Sequence, residues 1–263
     1  MKIYKNFNIS NKFKNAAIAI GNFDGFHLGH QKVIRKGKNL ARKHKLKFGL
    51  LVFHPLPVMF FNKKINNFRI DSLKQKIENS KKLGIDFLII KKFDKNFSKT
   101  TAENFIRQIL HKKLQLKLIF ISQNFKFGRN RIGNINLLKK KEKLFNYKTK
   151  TVDPLVKNKF IISSTLIRKN IKKGRMTIVN KMLGRPWTIE GIVKRGEKRG
   201  RKIGFPTCNL ELNDYVIPKS GVYASKIITD QTSKKKGIVN IGYKPTFGKN
   251  KLLLEAHIFG FKK

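Results

Sequence analysis

Short apolar runs separated by segments of helical period fill the first two-thirds of this sequence, and then the pattern stops. Ala16-Ala17-Ile18-Ala19-Ile20, residues 48–53, Phe87-Leu88-Ile89-Ile90 and Leu118-Ile119-Phe120-Ile121 each read as a compact strand. Between them, apolar residues recur at helical spacing. From about His30 these are Val33, Ile34, Gly37, Leu40 and Ala41; residues 72–83 and 101–110 follow the same period. Gly84 is expected to end the second helix by taking a left-handed backbone, and Thr100 or Thr101 to cap the third. Strand and helix in alternation imply an α/β domain with a doubly wound parallel sheet, which binds ligands at the carboxyl ends of its strands. After about residue 183 the period changes. Residues 187–193, 207–212, 222–228, 238–241 and 252–258 are five short strand candidates with turns between them, as in a small antiparallel β-barrel. The expected domains are 1–182 and 183–263, with the boundary near Leu183-Gly184-Arg185-Pro186.

The net charge of +47 invites a nucleic-acid reading, but its distribution argues otherwise. Residues 1–182 carry 44 basic and 8 acidic side chains, and residues 183–263 carry 17 and 6, so neither half is neutral. The excess is 49 Lys against 12 Arg, whereas base readout favours Arg. We expect a solvated basic surface that attracts polyanions, with no specific nucleic-acid partner. No apolar run approaches a bilayer span, and the start of the chain has no secretory pattern. The single Cys208 excludes an internal disulfide framework. A cytoplasmic protein without a membrane partner is the expectation.

The first chemical constellation is His27-Leu28-Gly29-His30, after a strand and at a helix start. Backbone N–H groups at a helix N-terminus favour an anion, and neutral imidazoles can donate to phosphate oxygens from the same place. Gly21, Gly25 and Gly29 would let the chain approach a ligand closely. The whole run, Gly21-Asn22-Phe23-Asp24-Gly25-Phe26-His27-Leu28-Gly29-His30, resembles the nucleotide-binding segment of the bifunctional prokaryotic riboflavin kinase/FAD synthetase family. The likeness continues through Leu83-Gly84-Ile85-Asp86, Glu103-Asn104-Phe105, Asn124-Phe125-Lys126-Phe127-Gly128 and Ile162-Ser163-Ser164-Thr165-Leu166-Ile167-Arg168. The resemblance implies a Rossmann-like nucleotidyltransferase domain that transfers an adenylyl group from ATP to FMN. It also implies that His27 and His30 are catalytic, with Gly21, Phe23, Asp24 and Gly29 around the ATP phosphates. Ser164, Thr165 and Arg168 would close on those phosphates, and Asn124 would stand on the flavin side. Phe53-His54-Pro55-Leu56-Pro57 departs from the family's Phe-Glu-Pro-His-Pro-like run, so His54 is given no catalytic role.

The second constellation is Gly204-Phe205-Pro206-Thr207-Cys208-Asn209. Thr207 and Asn209, two apart on a strand, share a face and offer neutral oxygens, while Cys208 faces the other way. The run resembles the Pro-Thr-x-Asn motif of riboflavin kinases, and 254–258 resembles the strand that carries their catalytic glutamate. The resemblance therefore implies Gly204, Thr207 and Asn209 at ATP, Thr207 and Asn209 as Mg²⁺ ligands, and Glu255 as catalytic base. Glu255 is also the one acidic residue after Asp230. Riboflavin, FMN and ATP are the implied small-molecule substrates, and the oligomeric state is left open. The family pattern continues beyond position 263, and Gly260 stands where an Asp is expected. We therefore expect a kinase domain incomplete at its C-terminus, with an FMN adenylyltransferase lacking kinase activity as the alternative. A pantetheine-phosphate or nicotinamide nucleotidyltransferase would lack the second motif. A non-enzymatic nucleic-acid-binding protein rests on charge alone.

Overall fold

The computed structural model describes residues 1–157, 159–194, 205–212, 214–230, 232–246 and 249–260, with side chains at 234–243 and 252–260 in the last two stretches. Internal contacts divide the chain into two units. The first is Met1–Asn66, Leu73–Leu166 and Met182–Gly184; the second is Asn67–Ser72, Ile167–Lys181 and Arg185–Lys263.

The first unit is built on a six-stranded sheet. Its strands are β1 (Lys2–Tyr4), β2 (Ala17–Ile20), β3 (Phe48–His54), β4 (Phe87–Lys92), β5 (Leu118–Ile121) and β6 (Lys148–Thr151). Their order is β1-β4-β3-β2-β5-β6, and every pairing is parallel. The four inner strands are the apolar runs of the sequence. The chain steps from β2 through β3 to β4 on one side, then returns beside β2 as β5. The crevice at the ends of β2 and β5 is therefore a topological switch point.

Both faces of this sheet are buried, which is why its strands read as unbroken apolar runs. Ile18, Ile20, Leu51 and Phe53 point into one core, with Phe105, Ile106, Ile109 and Leu110 of a helical segment packed there. Ala17, Ala19, Leu50 and Val52 point into the other, against Ile34 and Ala41 of α1 (Leu28–Lys43). Each large side chain so buried contributes about 1.5–3 kcal/mol. Gly37 lets α1 lie close to the sheet, because a Cβ there would stand 2.4 Å from the Phe48 ring. Thr101 caps the third helix through Oγ1, which accepts from the Asn104 N–H at 3.2 Å, and the chain then widens into a π-helical stretch, Phe105–Lys113. Gly84 ends helix Leu73–Lys82 at φ +63°. A two-stranded hairpin, β7 (Val156–Lys157) with β8 (Phe160–Ile161), precedes the 162–166 segment.

The second unit carries an antiparallel sheet of β9 (Thr207–Leu210), β10 (Gly221–Thr229), β11 (Thr232–Thr246) and β12 (Lys249–Ile258), in the order β10-β11-β12-β9. One face packs Leu212, Ile241, Leu254 and Ala256 with Leu210 and Cys208, so Cys208 does point into the apolar side. The stretch 187–193 is not a strand, contrary to expectation. Its backbone bonds to side chains instead of a ladder: the Trp187 N–H donates to Asn180 Oδ1 at 2.7 Å and the Glu190 N–H to the Tyr215 hydroxyl at 3.3 Å. Residues 67–72 are stitched into this unit by an Arg69–Asp214 ion pair at 2.6 Å, an Arg185–Asp71 pair at 2.6 Å and a Trp187 Nε1–H bond to the Ile70 carbonyl at 2.9 Å.

Candidate active sites

The loop after β2 is held in an uncommon shape. Phe23, Gly25 and Phe26 all have positive φ, at 44°, 86° and 42°. Two phenylalanines in that region store strain, which loops at functional sites commonly do. Both rings are buried and stack on each other at 5.8 Å, so packing holds what the backbone resists. Lys76, buried on helix Leu73–Lys82, donates from Nζ to the Asn22 carbonyl at 2.6 Å.

The loop delivers both histidines to the start of α1. His27 is the N-cap: its Nδ1 accepts from the His30 N–H at 3.3 Å. An Nδ1 that accepts carries no proton, so the neutral ring holds its hydrogen on Nε2 and can donate there. The His30 ring stacks on His27 at 3.7 Å between centroids, with Phe23 and Phe26 around it. Burial first, then His27, then the Lys76 ammonium hold the His30 pKa well below the ordinary histidine value. Its Nδ1 is buried and has no hydrogen-bond partner among the described residues. Such an atom in a native site calls for a ligand or a functional reason. A Cβ at Gly29 would press on the His27 ring at 3.1 Å and on the Ile162 carbonyl at 3.2 Å, so glycine is needed there for packing.

The late segment meets this loop through Ser164. Ser164 Oγ donates to the Asp24 carbonyl at 2.9 Å. The cap of helix Ser164–Lys172 is Ser163, whose Oγ accepts from the Leu166 N–H at 3.2 Å, so Ser164 is not occupied by capping. Thr165 is exposed beside it. Arg168 belongs to the second unit, where its guanidinium lies 4.0 Å over the Phe68 ring.

A cavity of about 830 Å³ opens at the switch point. Gly21, Asn22, Phe23, His30 and Ser164 line it on the side of the β2 loop, and Asn124 borders it after β5. The remaining wall includes Phe53, Phe61, Phe93, Phe97, Phe105 and Phe127. The lining thus combines polar groups of the β2 loop and the 164 segment with an aromatic wall, and Thr100, Asn130 and Arg131 add further polar groups. Nothing in the sequence marks this wall, because the 22 phenylalanines are scattered along the chain and carry no local signal. Nor does anything mark Lys76, one lysine among 49.

In the second unit, strand register places the other predicted residues together. Glu255 on β12 lies opposite Asn209 on β9 and opposite Asn240 on β11, and His257 lies opposite Thr207. Directly paired residues share a face, so Thr207, Asn209 and Glu255 stand on the side away from Leu254 and Ala256. Asn209 Oδ1 is buried with no hydrogen-bond partner among the described residues. A neutral hard oxygen of this kind fits Mg²⁺. Nδ1 of His257 bonds the Pro206 carbonyl at 2.8 Å, which fixes the residue before Thr207. Gly204 lies outside the described residues.

Known proteins resemble this chain along nearly its whole length. The FAD synthetase family matches residues 9–166, and the riboflavin kinase family matches residues 183–263. A bifunctional riboflavin kinase/FMN adenylyltransferase of Buchnera aphidicola subsp. Schizaphis graminum is 42% identical over 94% of this chain and 80% of its own length. The protein of the same name from Escherichia coli K12 is 31% identical, over 93% and 78%. A solved structure described as a macrolide-efflux protein from Streptococcus pneumoniae superposes with a TM-score of 0.86 at 28% identity, over 99% of this chain and 85% of that one. No helix among the described residues is long and apolar enough to cross a membrane.

Proposed function

The chain belongs to the bifunctional riboflavin kinase/FMN adenylyltransferase family, and from that premise we propose which of its residues carry the two transfers. It is a transferase with an FAD synthetase domain and a riboflavin kinase domain, and ATP, riboflavin and FMN fit it as substrates.

For FAD formation, a phosphate oxygen of FMN attacks the α-phosphorus of ATP and pyrophosphate leaves. The nucleophile is already an anion, so no general base is required. The protein's task is to align two polyanions and to meet developing charge with prearranged donors. His27, through Nε2–H, and His30 meet the ATP phosphates. Gly21, Phe23, Asp24 and Gly29 shape their cradle, and Ser164 and Thr165 complete it. Asn124 stands beside the flavin phosphate, and the aromatic wall takes the flavin ring. The observation that carries this assignment is His30 in the cavity wall at the switch point, stacked on the neutral His27 that caps α1. Replacing either histidine by alanine should lower FAD formation ~10²–10³-fold, the scale of one lost transition-state donor. FMN formation from riboflavin should stay nearly unchanged, as read by chromatographic separation of the flavins.

For FMN formation, Glu255 is the base that takes the proton of the riboflavin 5′-hydroxyl as it attacks the γ-phosphorus of ATP. Its position opposite Asn209 supports this role. Thr207 and Asn209 would hold Mg²⁺, which supplies positive charge at the phosphates when bound. Gly204 is assigned to ATP by its place in the sequence before Thr207. A cytoplasmic setting is part of this reading, supported by a chain with a single cysteine.

A further inference from the structure

We infer that Lys76 is a positioning residue of the adenylyl-transfer site: from its buried place on the neighbouring helix, its ammonium pins the Gly21–Phe23 backbone through the Asn22 carbonyl. The inference rests on the assignment of His27 and His30 to the ATP phosphates. Lys76 reaches the site through its bond to the Asn22 carbonyl, so it acts through the loop.

Lys76 is 5% exposed, and a lysine is seldom buried so deeply without a specific task, because desolvating its charge is costly. Here it comes from a different element than the loop it serves, since helix Leu73–Lys82 follows the chain away from β3 while the loop follows β2. Its 2.6 Å bond falls on the carbonyl directly before Phe23, the first of the residues with positive φ. The bond therefore restrains the peptide from which the strained turn begins. A lysine ammonium behind a loop that receives a triphosphate also draws the anion inward.

Among the described residues, His27 on its own segment and Lys76 from the neighbouring helix act on the charge of His30; Phe23 and Phe26 are neutral rings beside it, and the buried carboxyl of Asp24 belongs to the same loop. His27 and Lys76 both disfavour a second positive charge, in the same direction as burial. Without the ammonium, His30 would take up a proton at higher pH than it does now.

The test compares the full chain with Lys76→Met, Lys76→Gln and Lys76→Arg, using His30→Ala as the reference. The pH profile of kcat/KM for FAD formation from FMN and Mg-ATP is measured over roughly pH 5 to 8, the range in which histidine titrates. FMN formation from riboflavin and thermal unfolding are followed in parallel. Lys76→Met should lower kcat/KM for FAD formation ~10-fold or more near neutral pH, the order of a lost positioning contact. It should also move the acid limb to higher pH, with FMN formation retained. Lys76→Gln, which keeps a donor for the Asn22 carbonyl, should recover part of the rate but not the position of the limb. Lys76→Arg should restore the limb. A Lys76→Met profile that superimposes on the parent profile overturns the inference while the histidine assignment stands, provided His30→Ala has lost FAD formation. Loss of both transfers together with a lowered melting temperature, without rescue by Lys76→Arg, also overturns it and leaves Lys76 a packing residue. FAD formation unchanged in His30→Ala overturns the histidine assignment itself.

Discussion

His27 and His30 differ in what surrounds them, and that difference sets what each can do. The His27 ring has its tautomer fixed by the backbone, because Nδ1 is taken by the His30 N–H. His30 has its charge fixed by burial, by His27 and by Lys76. A base whose pKa is lowered on folding binds fewer protons folded than unfolded. Its contribution is therefore fully present above the ordinary histidine value of ~6.5 and is lost as pH falls towards the depressed value. Stability should decline with acid in that window, and His30→Phe should flatten the slope there; denaturant unfolding at a series of pH values reads this. Gly29→Ala adds a Cβ that meets the His27 ring and the Ile162 carbonyl, so it should cost about 1–3 kcal/mol and reduce FAD formation more than a surface Gly→Ala change. The histidine pair stood out by type, spacing and place after a strand, and its role came from the family resemblance. Lys76 was not, since its significance lies in a contact between residues 54 positions apart.

At the scale of elements, the inner strands of the first sheet were readable because both their faces are apolar. The edge strands were not. β1 is three residues, and β6 is Lys148-Thr149-Lys150-Thr151, in which Thr149 alone is buried. Neither carries an apolar run, and each has a single neighbouring strand, so hydrophobic pattern has little hold on them. Residues 187–193 show the opposite error. Their apolar content suggested a strand, but tertiary hydrogen bonds from Asn180 and Tyr215 took the backbone donors that a ladder would have used. That anchoring is testable: Trp187→Phe removes the Nε1–H bond to Ile70 and should lower stability by about 1 kcal/mol, the net worth of one such bond, as measured by denaturant midpoint. Gly128 illustrates a turn that permits no side chain. Its φ is +73°, and a Cβ would stand 2.5 Å from the Ala102 nitrogen. Gly128→Ala should therefore displace the loop after β5 and weaken FMN use in FAD formation more than ATP use, read as a larger rise in KM for FMN.

At the scale of the whole molecule, two chemistries are assigned to two sets of residues, and each set has its own logic. Adenylyl transfer begins from an anionic nucleophile and needs donors, a role we assign to the loop after β2 and the 162–166 segment at the switch point of a parallel sheet. Phosphorylation begins from a neutral hydroxyl and needs a base, and Glu255 stands in register with Asn209 on the antiparallel sheet. Charge was the most conspicuous feature of the sequence and the least informative about its chemistry. The informative residues were a handful of His, Ser, Thr, Asn and Glu whose spacing survives the abundance of Lys. The division of labour is tested most directly by one product assay, in which the parent chain, His30→Ala and Glu255→Gln each receive Mg-ATP with riboflavin or with FMN and the flavins are then separated. The account predicts that His30→Ala still makes FMN from riboflavin but little FAD from either substrate, and that Glu255→Gln still makes FAD from FMN but little FMN from riboflavin. Equal loss of both products in both variants would contradict it.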